Sequence, residues 1–115
     1  HLNVECREYH GIRQRNEPHV LVDVRVKQQF DMCHLEGAIN IPLGSLEDAV
    51  DLIEGLSAGT QPVYCICRRG RFSSEATRIL SEAAATHHRQ IKAVYNVVGG
   101  LQEWHSKVDP NFPKY

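Results

Sequence analysis

At 115 residues, 42% hydrophobic and 23% charged, the chain is sized for one domain that buries a core without disulfide staples. A formal net charge of −1 argues against partners that select a strongly basic surface, nucleic acid and acidic membranes among them. It has no signal-peptide pattern and no apolar run near the ~18 residues that span a bilayer, which predicts a soluble protein. Cys6, Cys33, Cys65 and Cys67 lack the density and spacing of a secreted disulfide framework, and a reducing, cytoplasmic compartment is expected. The first residue is His1 rather than Met, so the chain reads as a fragment of a longer protein or as carrying the remains of a tag.

Short β-branched runs alternate with helical patterns, the signature of an α/β domain. The first clear strand is 19–24, His-Val-Leu-Val-Asp-Val, almost continuously apolar, as a strand covered on both faces should be. A short strand is predicted over 38–41, stopped by Pro42. Ser45 and the acids Glu47 and Asp48 predict a helix start, with the helix running to about Leu56 and Gly55 and Gly59 helping to end it. Pro62 opens a strand over 63–66 that runs straight into Cys67. The next helix carries Ala76, Ile79, Leu80, Ala83 and Ala84 on one apolar stripe. A last strand over 93–98 precedes Gly99-Gly100 and a final helix bearing Trp104. Crossovers this short predict a central parallel sheet with helices on both faces. Ligands of such sheets sit beyond the carboxyl ends of the strands, where Cys67 lies.

The segment Cys67-Arg68-Arg69-Gly70-Arg71-Phe72 is followed by Ser73-Ser74-Glu75 and the helix. A strand that ends in Cys and turns so quickly into a helix aims backbone N–H groups at the sulfur, and Gly70 is free to take the φ > 0 that such a curl needs. The helix N-terminus adds partial positive charge, with Ser73 as candidate cap, and Arg68, Arg69 and Arg71 add three formal charges without an acid between them. These features favour the thiolate, which is the nucleophile. The competing reading makes Cys67 a small, inert core residue at a strand end, and one of the arginines part of a solvated turn.

This loop resembles the active loop of rhodaneses, which begins with the catalytic Cys and has Gly fourth. The stretch Leu21-Val22-Asp23-Val24-Arg25, with His34-Leu35-Glu36-Gly37-Ala38-Ile39-Asn40-Ile41-Pro42, is similar to the family's amino-terminal signature. Val98-Gly99-Gly100-Leu101-Gln102-Glu103-Trp104 resembles its carboxyl-terminal one, and the likeness spans 4–104. It implies the rhodanese-like three-layer fold and a sulfurtransferase that carries sulfur as a persulfide on Cys67, with Arg68, Arg69, Gly70, Arg71, Phe72 and Ser73 binding substrate. Asp23 and Arg25, alternate residues at a strand end, are expected to hold loops through hydrogen bonds and an ion pair. Gly99 and Gly100 should permit close approach to the site, and Trp104 should be core.

The tail over 104–115, ending Phe112-Pro113-Lys114-Tyr115, resembles that of eukaryotic adenylyltransferase and sulfurtransferase proteins, in which an adenylating domain precedes a rhodanese domain. That resemblance implies delivery of sulfur to the adenylated carboxyl-terminal glycine of a ubiquitin-like sulfur carrier, for tRNA thiolation or molybdenum cofactor synthesis. The donor would be a cysteine desulfurase or thiosulfate. No cofactor is expected in this domain, ATP and zinc belonging to the adenylating one. No direct nucleic-acid or membrane partner is expected. The loop departs from the Gly-Asn-Asp that many members carry, having Gly70-Arg71-Phe72, which leaves the donor open. The alternatives are a free-standing thiosulfate sulfurtransferase and a non-catalytic rhodanese-like binding module, although such modules usually lose the loop Cys. A related phosphatase loop needs Arg six residues after the Cys, where this chain has Ser73.

Cys65 and Cys67 alternate on a strand and share a face, so Cys65 reads either as core or as partner in a strained bridge. Cys6 and Cys33 have no assigned role beyond a conceivable regulatory disulfide. Cys33-His34, Cys65-Ile66-Cys67, His87 and His88 do not make a zinc-knuckle spacing, and no metal is expected. His87 and His88 should end a helix, where imidazolium suits the dipole.

Overall fold

In the computed structural model, which describes residues 2–113, five parallel strands form one sheet: β1 (Leu2–Glu5), β2 (Val20–Asp23), β3 (Ile39–Asn40), β4 (Val63–Ile66) and β5 (Val94–Val98). Their spatial order is β1-β5-β4-β2-β3, which puts β4 at the centre. The helices are α1 (Cys6–Gln14), α2 (Lys27–Met32), α3 (Val50–Ser57), α4 (Arg71–Thr86) and α5 (Gly100–Lys107). All four β4 residues are buried because alternate side chains enter different cores. Val63 and Cys65 join Val22, Leu46, Ile53 and Leu80 on one face. Tyr64 and Ile66 join Tyr9, Leu21, Val97 and Trp104 on the other, where the Tyr9 and Tyr64 rings lie 4.9 Å apart. Two apolar layers on a parallel sheet make this the expected α/β three-layer fold.

Several local expectations are corrected. Ser45 does not cap a helix: Leu43–Ser45 and Glu47–Ala49 form two short 3₁₀ turns, and only α3 is α-helical. Leu46, fully buried between the turns, anchors the chain to the core there and breaks the α-helical ladder. Gly55 lies inside α3; the helix ends at Ala58 and Gly59, both at positive φ. The strand expected over 38–41 keeps ladder pairing only at Ile39 and Asn40. β1, α1 and α2 were not legible: β1 buries only Val4, and α2 buries no side chain at all. His87 caps α4 and His88 follows it at positive φ, so the pair does sit at a helix end. Of the tail motif, Lys114 and Tyr115 lie outside the described residues. Among the described residues, no helix is long and apolar enough to cross a membrane.

Candidate active site

Cys67 follows the last residue of β4, and Gly70 takes φ +90 to turn the chain into α4. That conformation puts the Gly70 N–H 3.0 Å and the Ser73 N–H 3.3 Å from the Cys67 sulfur. The Ser73 amide is one of the orphan donors of the first helical turn, so it meets the sulfur with the positive end of the helix behind it. Gly70, not Ser73, stands at the N-cap. Ser73 is instead buried within the first turn, its Oγ 3.3 Å from the Cys67 sulfur and donating to Asn96 Oδ1 at 2.6 Å. The correction follows from glycine's freedom: the loop curls one turn sooner than a Ser cap would allow.

The Gly99-Gly100 pair holds the loop from behind. The amides of Leu101 and Gln102, at the start of α5, donate to the carbonyls of Cys67 and Arg68, each at 2.9 Å. This approach leaves no room for a side chain: a Cβ on Gly100 would lie 2.3 Å from the Cys67 carbonyl oxygen, and φ there is +58. Cys67 is therefore fixed from both sides, by amides on its sulfur and amides on its carbonyl.

The sulfur sits at the floor of a cavity of about 430 Å³ lined by Cys67, Arg25, Gln29, Arg68, Arg69, Arg71 and Phe72. The site is thus a buried thiol, 2% exposed, under an opening that is basic with one aromatic wall, Phe72, 61% exposed. Of the residues proposed from sequence, Arg68, Arg69, Arg71 and Phe72 reach the opening, whereas Gly70 and Ser73 act beneath it on the sulfur.

Arg25 belongs to both the scaffold and the wall. Its guanidinium donates from Nε to Asp23 Oδ1 at 3.0 Å and from a terminal nitrogen to Oδ2 at 2.8 Å, and onward to the Cys33 carbonyl at 2.7 Å. The ion pair expected between Asp23 and Arg25 is present and is fully buried. Gln29 was not anticipated, because α2 has no apolar stripe to reveal it. Asn96 was also missed, although the signal was there: it is the one polar residue in the apolar run of β5.

Cys65 lies one turn of the pleat below Cys67 in the same apolar cluster. Burial, with Cys67 nearby, pushes its thiol up to about 12. Cys6 is likewise buried, its sulfur 3.4 Å from the Gly100 carbonyl, and burial pushes it up to about 11. Among the described residues no disulfide is formed and no group of His, Cys, Asp or Glu is arranged to hold a metal ion. Cys65→Ala is expected to cost roughly 1 kcal/mol of stability and leave turnover largely intact. Urea melts run beside a sulfur-transfer assay check this; loss of transfer at unchanged stability would make Cys65 a resolving thiol.

Comparison with known proteins agrees with this geometry. The rhodanese-like domain family matches residues 7–107. The chain is 35% identical over 117 aligned residues to the adenylyltransferase and sulfurtransferase MOCS3 of Aedes aegypti, covering 100% of this chain and 26% of that protein. It is 34% identical to the adenylyltransferase and sulfurtransferase uba4 of Sclerotinia sclerotiorum, over 97% of this chain and 26% of the relative. The chain thus spans about a quarter of the length of these relatives. The structure of a human single-domain sulfurtransferase, TSTD1, superposes with a TM-score of 0.72 at 21% identity, covering 93% of this chain and 97% of the other, a likeness of fold. With the match running from α1 to the end of α5 and the loop built around Cys67, the chain belongs to the rhodanese-like domain family.

Proposed function

We propose that this domain is a sulfurtransferase in which Cys67 carries sulfur as a persulfide and delivers it to the adenylated carboxyl-terminal glycine of a ubiquitin-like sulfur carrier. The observation that carries the reading is the sulfur itself, held at the end of the central strand by the Gly70 and Ser73 amides under a mouth lined by arginines. Backbone N–H groups fixed in place stabilise negative charge on sulfur without reorganising. The arginines favour an anionic donor by charge.

The chemistry runs in two halves. With thiosulfate as donor, the Cys67 thiolate attacks the sulfane sulfur, the S–S bond of thiosulfate breaks, and sulfite leaves with the electron pair. A cysteine desulfurase persulfide would donate in the same way, its own cysteine thiolate being the leaving group. The terminal sulfur of Cys67–S–S⁻ then attacks the acyl-adenylate carbon and AMP leaves, giving an acyl disulfide. A second thiolate attacks the Cys67 sulfur of that disulfide, a new disulfide forms, and the carrier departs as the thiocarboxylate. That thiol, with ATP and zinc, belongs to the adenylating domain that the relatives' names support. Such a thiocarboxylate would feed tRNA thiolation or molybdenum cofactor synthesis in the cytoplasm.

The test mixes the chain with thiosulfate, a ubiquitin-like carrier, its adenylating domain and ATP, and reads the carrier by intact mass. Exchange of one oxygen for sulfur at the carboxyl terminus is expected. An unchanged carrier beside robust thiosulfate-to-cyanide transfer would favour a free-standing thiosulfate sulfurtransferase instead.

A further inference from the structure

Asn96 sits on the α4 face of β5, between the sheet and an otherwise apolar layer that includes Val94, Cys65 and Ala76. A buried carboxamide there costs free energy unless its polar atoms are bonded. Both ends are: Oδ1 accepts the Ser73 hydroxyl at 2.6 Å, and Nδ2 donates to Asn3 Oδ1 on β1 at 3.2 Å. With Asn3 taking up the amide nitrogen, it is the amide oxygen that faces Ser73. Asn96 therefore presents an acceptor, not a donor, to the hydroxyl that stands beside the Cys67 sulfur.

A serine hydroxyl has one proton. Two acceptors lie within its reach, Asn96 Oδ1 at 2.6 Å and the Cys67 sulfur at 3.3 Å. The bond to Asn96 is the shorter by 0.7 Å, which puts the proton on the Asn96 side. While Cys67 is a thiol, its S–H donates to the Ser73 oxygen and the chain of bonds is complete. When the sulfur ionises, it keeps the amides of Gly70 and Ser73, and the Ser73 hydroxyl is the next donor available to it. Each further hydrogen bond stabilises a sulfur anion and makes it a weaker nucleophile, in the sense of the Brønsted relation for thiolates.

We infer that Asn96, oriented by Asn3, is a positioning residue for sulfur loading: it withholds the Ser73 hydroxyl from the Cys67 sulfur and so keeps that sulfur reactive. The inference rests on Cys67 being the nucleophile and deepens the reading of the same site. Asn96 touches neither the cavity nor the sulfur, so it acts only through Ser73.

The experiment is a double-mutant cycle read in two ways, by single-turnover sulfur loading from thiosulfate and by alkylation of Cys67 with iodoacetamide, both on the high-pH plateau of the rate. On that plateau Cys67 is ionised throughout, so the rate reports nucleophilicity rather than the ionised fraction. Fragment-ion mass spectrometry separates Cys67 from Cys65, two residues away, and from Cys6 and Cys33. Asn96→Ala is expected to slow both reactions about fivefold, the part of one hydrogen bond to a charged sulfur that a Brønsted slope of about 0.5 passes on to the rate. Asn3→Ala, on a more exposed strand end, should slow them about threefold by letting the amide turn. The diagnostic result is suppression: in a Ser73→Ala background, either asparagine substitution should change the rate less than about twofold. Equal slowing with and without the Ser73 hydroxyl would make Asn96 a structural residue and overturn the inference, as would an unslowed Asn96→Ala chain. Should Asn96→Ala fail to fold, the Asn3→Ala cycle decides by the same criteria. If thiosulfate loads no sulfur onto the wild-type chain, the proposed activity fails, while the alkylation cycle still decides the role of Asn96.

Discussion

Cys67→Ala is expected to abolish thiosulfate-to-cyanide transfer while leaving the melting temperature within a few degrees of the wild type. The loop holds no second nucleophile that could substitute: Ser73, the nearest hydroxyl, is buried and donates to Asn96. The change removes one sulfur atom from a site whose backbone is held independently, by the Leu101 and Gln102 amides on the loop carbonyls and by Gly70 and Gly99 in close approach. The stability cost should therefore be about 1 kcal/mol, the ordinary size for a small core truncation. The loss of activity should be complete, because covalent catalysis without its nucleophile has no route to the persulfide. More than a few per cent of wild-type transfer in the purified variant would remove Cys67 from the mechanism. Loss of transfer together with collapse of the melt would leave Cys67→Ser, nearly isosteric and far less nucleophilic, to decide by the same two readings.

The largest loss of stability is expected at Asp23→Ala. Asp23 and Arg25 bury a full ion pair at the end of β2, with the guanidinium bound to both carboxylate oxygens and to the Cys33 carbonyl. The Asp23 carboxylate also accepts the Arg25 backbone N–H at 3.1 Å. Removing the acid leaves a buried cation without its counter-charge, which costs about 3–5 kcal/mol. At the unfolding entropy of a domain this size, that is a drop of roughly 12–20 °C in the melting temperature. Activity should fall as well, since Arg25 forms part of the cavity wall. Replacing both partners, Asp23→Leu with Arg25→Met, should recover most of the lost stability but not the activity, because an apolar pair needs no compensation. Thermal and urea melts of the single and double variants give the answer. A loss below about 1 kcal/mol in Asp23→Ala would show that the pair contributes no more than a surface salt bridge.

Much of this protein was legible in its residues. The unbroken apolar runs of β2 and β4 are readable because strands buried on both faces need no polar alternation, and that alone implies covering helices. Cys67 followed closely by Gly70 and a long amphipathic helix marks the loop, because the curl, the glycine and the helix start are all local in sequence. The roles of Gly99 and Gly100 were also readable, as a tight approach to the site.

Tertiary structure decided the rest. β1 and α1 were invisible because what makes them regular is docking onto β5 and α5, some ninety residues away, rather than any strong pattern of their own. The Ser45 signal failed because Leu46 is drawn into the core, and packing outweighs a capping preference of about 1 kcal/mol. Ser73 was assigned to the right helix end but to the wrong task, since its hydroxyl answers to Asn96 on a neighbouring strand. Gln29 and Asn96 enter the site only through the fold, which brings α2 and β5 to one end of the sheet. A sequence displays what neighbours along the chain impose on one another; which polar group meets which across the sheet follows from strand order and register, and those are set by burial summed over the whole core.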